Sequence, residues 1–185
     1  MLSACGGQIE QAEQSAPLAA TASESAASSP AEDRKVLPLD YAAYRKAAND
    51  ALKQNKLKLT LPENIEPAAV PDEPDTQKVA HHYPEGLDVV VETDSAGRML
   101  NLRVIWHSDA NPKQAKQLSA AAAVLLAAAD PGDRSLAKDI SSQIEQAVAD
   151  HNHGKDPTRI ATRNGITYNT TVTNLPSVVL TAQPK

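Results

Sequence analysis

Five histidines are the side chains in this sequence most able to do chemistry. His81 and His82 adjoin in an acidic stretch, His107 closes an apolar run, and His151 and His153 stand two apart beside Asp150 and Asp156. Neutral imidazoles ligate divalent cations, and nearby carboxylates complete such a site where the backbone converges them. His81, His82, His151 and His153 are therefore candidate metal ligands. The competing reading of the last two is a helix C-terminus, where the dipole favours a positive charge and residues two apart do not face each other.

Nucleophilic chemistry finds less support. Ser135 and Lys138 match the S-x-x-K pattern of penicillin-recognising enzymes, but the S-D-N and K-T-G elements of that mechanism are absent. Ser135 is expected to start a helix instead. There is no G-x-S-x-G, H-E-x-x-H, G-x-G-x-x-G or Walker motif. Asp72, Glu73 and Asp75 fall in proline-rich sequence that offers no rigid support for acid-base work. The expectation is a non-catalytic protein without a cofactor.

The one cysteine, Cys5, closes the run Leu2-Ser3-Ala4-Cys5. A peptidase takes small residues there in extended form, and the thiol accepts diacylglycerol. This run resembles the lipobox of bacterial lipoproteins. The resemblance implies Cys5 as the site of lipid attachment and of membrane contact, with residues 1–5 the remnant of a signal and lipobox. Gly6 stands where inner-membrane retention reads an Asp, so the resemblance implies the outer membrane. Residues 6–36, rich in Ala, Ser, Gln and Glu, show no apolar period and cannot offset their chain entropy by burial. They are expected to form a disordered tether, of about 30 Å typical span.

A net charge of -5 with interspersed signs argues against nucleic acid as a partner. With aromatics at 3% and no Phe, the core must be built from Ala, Leu, Val and Ile, with Trp106 as a large anchor. Residues 37–185 fit a single domain.

The elements follow from periodicity and punctuation. Asp40 caps a helix carrying Tyr41, Tyr44, Ala48, Ala51 and Leu52 at helical spacing. Residues 56–61 alternate Lys and Leu and predict a half-buried strand. Residues 62–86, with five prolines, predict a long acidic loop. Residues 87–93 and 99–107 predict a hairpin about Asp94 to Gly97, with Leu100, Leu102, Val104 and Trp106 on one face. Asn111 and Pro112 start a second helix, and a third runs from Asp133 or Ser135 to Asn152. Asn164-Gly165 marks a second hairpin, and residues 175–181 suggest an edge strand after Pro176. The expected class is α+β, an antiparallel sheet of five to six strands with about three helices on one face. The functional expectation is a lipid-anchored envelope protein that binds a protein or envelope component through sheet edges or the acidic loop. The alternative is a periplasmic carrier of a metal or small ligand through its histidines.

Overall fold

A computed structural model describes residues 34–107, 112–173 and 177–185. The tetrad around Cys5, the tether up to residue 33 and the helix-capping Asn111 lie outside these. In chain order the elements are α1 (Tyr41–Gln54), β1 (Ala68–Val70), β2 (Glu73–Tyr83), β3 (Leu87–Asp94), β4 (Met99–His107), α2 (Pro112–Ala127), α3 (Leu136–Asn152), β5 (Thr158–Arg163), β6 (Ile166–Val172) and β7 (Ser177–Pro184). The α+β class holds. All seven strands form one antiparallel sheet in the order β1-β2-β3-β4-β7-β6-β5. No helix among the described residues is long and apolar enough to cross a membrane.

Strand alternation sorts the two faces. Val79, Val89, Val91, Leu102, Val104, Trp106, Val178, Leu180, Ala182, Ile166 and Tyr168 point inward and are buried. Against them α2 packs over β4 and β7, α3 over β6 and β5, and α1 against α2. α2 meets α1, α3 and the sheet, so residues 121–129 are buried almost all round. Alanine dominates there because only small side chains let three neighbours close on one helix. The opposite face carries no helix.

The start of the domain is stitched to the first hairpin. Asp40 caps α1 by accepting from the Ala43 amide at 2.8 Å, while Leu37 N–H donates to Met99 O and Tyr41 N–H to Gly97 O. Residues 34–36, read as tether, already touch the domain: Arg34 donates to Thr76 Oγ1 at 2.9 Å and Lys35 to Lys185 O at 2.7 Å.

Four expectations need correction. Residues 56–61 form no strand. Their alternation does bury Leu61 and half-bury Leu57 and Leu59, but the ladder is replaced by one side chain: the Asn49 amide donates to Leu61 O and accepts from Leu61 N–H. Residues 62–86 are not a long loop, since they contain β1 and β2, joined by Pro71 and Asp72, the latter at φ 66°. Pro74 is tolerated inside β2 because the β1 register jumps from Ala69↔Gln77 to Val70↔Glu73, leaving it in the irregularity. Leu100 leaves the core face: β4 pairs Met99 with Thr93 and Asn101 with Glu92, so Leu100 is the extra residue of a bulge and Met99 is buried instead. Finally, β7 is central, lying between β4 and β6, because its alternating Val178, Leu180 and Ala182 match the inward rows of both neighbours.

Candidate functional site

On the helix-free face, four side chains from four strands form one polar chain. The β hydrogen-bond register aligns His82, Asp88 and Ile105, and places His107 opposite Ser177. Asp88 sits between two imidazoles: His82 Nδ1 meets its Oδ1 in a very short contact, and His107 Nε2 lies 3.2 Å from its Oδ2. The other ring nitrogen of His107, Nδ1, lies 3.0 Å from Ser177 Oγ. Burial alone would raise the Asp88 carboxyl, but hydrogen bonds and positive charge from His82 and His107 outweigh it and hold it below its usual range. When His107 is neutral and carries its proton on Nε2 toward Asp88, its Nδ1 accepts from the serine hydroxyl and the order is serine, histidine, carboxylate, histidine; when it is charged, both ring nitrogens donate.

The proposed metal ligands are not brought together. His81 and His82 alternate in β2, so His81 turns inward, its ring edge on Tyr83 at 4.3 Å, and burial lowers its pKa. His82 turns outward to Asp88. His151 and His153 end α3, which packs over β5 and β6 at the far side of the sheet from β2. There His153 serves as the C-cap, its Nδ1 2.6 Å from Ala149 O, before Gly154 at φ 66°. Among the described residues no group of three or more His, Cys, Asp or Glu is placed to hold a metal ion. The metal reading of His81, His82, His151 and His153 therefore has no geometric support.

Ser135 is tied into a charged cluster at the start of α3. Its Oγ donates to Asp133 Oδ1 at 2.8 Å and accepts from Arg163 Nη1 at 3.1 Å, while Arg163 Nη2 lies 2.7 Å from Asp139. These contacts join α3 to β5.

The two ends of the sheet differ. The β1 end is blunted: three residues, an irregular register, and Pro71 and Pro74 close by. The β5 end is open. Asn164 and Gly165 form a two-residue turn with φ 50° and 77°, so the flanking Arg163 and Ile166 exchange ladder bonds, as do Ala161 and Arg159 with their partners. Thr158, Ile160 and Thr162 then direct N–H and C=O outward, away from β6. Thr158 shows this orientation directly: its N–H is taken by Asp156 Oδ1 and its carbonyl accepts from Arg159 Nη1. Edges are usually blunted by proline, bulges or projecting charges. In β5 both arginines pair with carboxylates, Arg159 with Asp150 and Arg163 with Asp133 and Asp139, and Arg159 also reaches Thr158 O, so the open part of the edge is Ile160 and Thr162. Ile160, 68% accessible, is the one exposed large hydrophobic residue among the described residues.

A third feature is a groove of about 560 Å³ between the start of α2 and the end of α3, with Ala115, Ile144 and Val148 among its walls and Trp106 at its floor. Trp106 remains only 6% accessible, as expected for a core anchor.

The sequence reading singled out His82 and His107 but missed Asp88, Ser177 and Ile160. A cross-strand signal was present for one of them, since a hairpin closing at Asp94 to Gly97 brings Asp88 near Ile105 and His107. Ser177 carried no such signal, because its strand reaches β4 across the whole helical segment.

Comparison of the chain with known protein families, with curated proteins and with solved structures finds no match.

Proposed function

We propose that this chain is a lipid-anchored protein of the bacterial outer membrane, attached through Cys5, whose α+β domain is a non-catalytic binding module for a protein or envelope component. The observation that carries the binding role is the open β5 edge with Ile160 exposed upon it. An extended segment pairing there gains main-chain hydrogen bonds, and Ile160 supplies apolar contact. The helix-free face beside it gives room for a large partner.

One experiment tests both halves. The chain is expressed with a lipoprotein signal ahead of Leu2, as wild type, Cys5→Ala and Ile160→Lys. Radiolabelled palmitate should enter wild type and Ile160→Lys but not Cys5→Ala. Cross-linked partners recovered from membranes should differ between wild type and Ile160→Lys. Failure of wild type to label rejects the anchor, and an unchanged partner list rejects the edge.

A second reading rests on Ser177, His107 and Asp88, whose bonding order is that of an activated serine nucleophile. A fluorophosphonate probe decides it. Labelling of Ser177 that His107→Ala abolishes would favour a hydrolase, and an unlabelled Ser177 rejects one.

A further inference from the structure

The outward residues of β5 read the same in both directions. Thr158, Ile160 and Thr162 all face the helix-free side and turn their main-chain groups to the free edge. A strand with such a palindrome is complementary to an antiparallel copy of itself.

We infer that the partner of the β5 edge is a second copy of this chain, paired β5 to β5 about a two-fold axis at Ile160. This rests on the binding role of the edge proposed above, and it names the occupant. In this register Ile160 lies opposite Ile160 of the second copy, and Thr158 opposite Thr162. The two Ile160 residues exchange N–H and C=O bonds, and Thr158, whose N–H and C=O are held by Asp156 and Arg159, ends the ladder on either side. The side chains fit as well. The two isoleucines cover each other's exposed surface, and paired threonines are favourable cross-strand neighbours.

The exposed side chains select this register over its neighbour. A slip of one residue on each strand, to centre on Ala161, would set each Ile160 opposite Thr162 and lose the contact between the two isoleucines. The ion pairs to Asp133 and Asp139 hold Arg163 beneath the sheet, while Arg159, paired with Asp150, donates to Thr158 O at the end of the edge. Six residues per strand make a small interface, below the area of a stable soluble dimer. Confinement of the tethered domain to a membrane surface raises its effective concentration and offsets that weakness.

Disulfide trapping tests the pairing, because Cys5 is the one cysteine and Cys5→Ser gives a thiol-free full-length chain. Residues opposite in a hydrogen-bonded pair have Cα atoms about 5.5 Å apart, within disulfide reach. In that background, kept at about 1 mM protein to replace the effective concentration that anchoring supplies, Ile160→Cys should form disulfide dimers under mild oxidation at least about ten times faster than Lys46→Cys, placed on the exposed side of α1. Thr162→Cys alone should behave like Lys46→Cys, whereas Thr158→Cys with Thr162→Cys should trap dimers. Circular dichroism of each variant verifies the fold. An Ile160→Cys rate no greater than that of Lys46→Cys overturns the self-pairing, and trapping by Thr162→Cys alone overturns the register. If self-pairing fails while Ile160→Lys still alters the membrane partners, the edge binds another protein and the broader reading stands.

Discussion

Asp94 carries a charge that is almost wholly enclosed, its side chain 3% accessible. It accepts from the Ala96 and Arg98 amides at 3.0 and 2.9 Å and from Arg98 Nε at 2.5 Å. Burial pushes its carboxyl up, but these donors outweigh burial and hold it below the usual range. Because the folded pKa lies below the unfolded value, its contribution to stability is complete above the unfolded value and is lost as pH falls through the folded one. Asp94→Ala should cost about 2–3 kcal/mol at neutral pH, the range for hydrogen bonds to a charged group. Urea denaturation should show that gap narrowing below about pH 4; a gap constant down to pH 2 would contradict the argument. The role was not legible in sequence. Asp94 reads there as one acid in a polar turn, and its importance depends on the chain closing back through Arg98.

At the level of elements, periodicity was a good guide wherever an element buries one face against a continuous layer. α1, α3 and the strands β3, β4 and β6 all have such a face, and each was read to within a few residues. It misled where burial and hydrogen bonding part company. Residues 56–61 bury alternate leucines but satisfy Leu61 through the Asn49 amide, so apolar alternation arose without a ladder. β2 shows the converse, since Pro74 and scattered acids hide a strand whose only strict requirement is inward Val79 and Tyr83. Asn49→Ala should therefore destabilise the domain by about 1–2 kcal/mol, the worth of two lost hydrogen bonds and the exposed need of the Leu61 main chain. Hydrogen exchange should show faster opening around Leu61 while the β3–β4 hairpin keeps its protection. Unchanged exchange at Leu61 would mean that packing, rather than the amide, holds the segment. The Ser177 end of the polar chain is beyond sequence reading for the same reason: Ser177 meets His107 only once β4 and β7 are neighbours.

At the level of the whole molecule, the sheet is two meanders, β1 to β4 and β5 to β7, joined where β7 pairs with β4. β1 to β4 run in chain order, β5 and β6 form the other hairpin, and β7 alone bridges them. Its inward Val178, Leu180 and Ala182 are buried, so a chain stopped at residue 176 exposes an apolar row on each half. Limited proteolysis should find that truncated chain cut rapidly throughout, while wild type is resistant from about residue 37 onward. A protease-resistant core in the truncated chain would show that one half stands alone. The same arrangement sets a sequence of events during synthesis. β7 follows every strand that it joins, so the inward rows of β4 and β6 have no common neighbour in the sheet until residues 177–184 have been made. The sheet therefore closes from its middle, with β7 the strand that completes it.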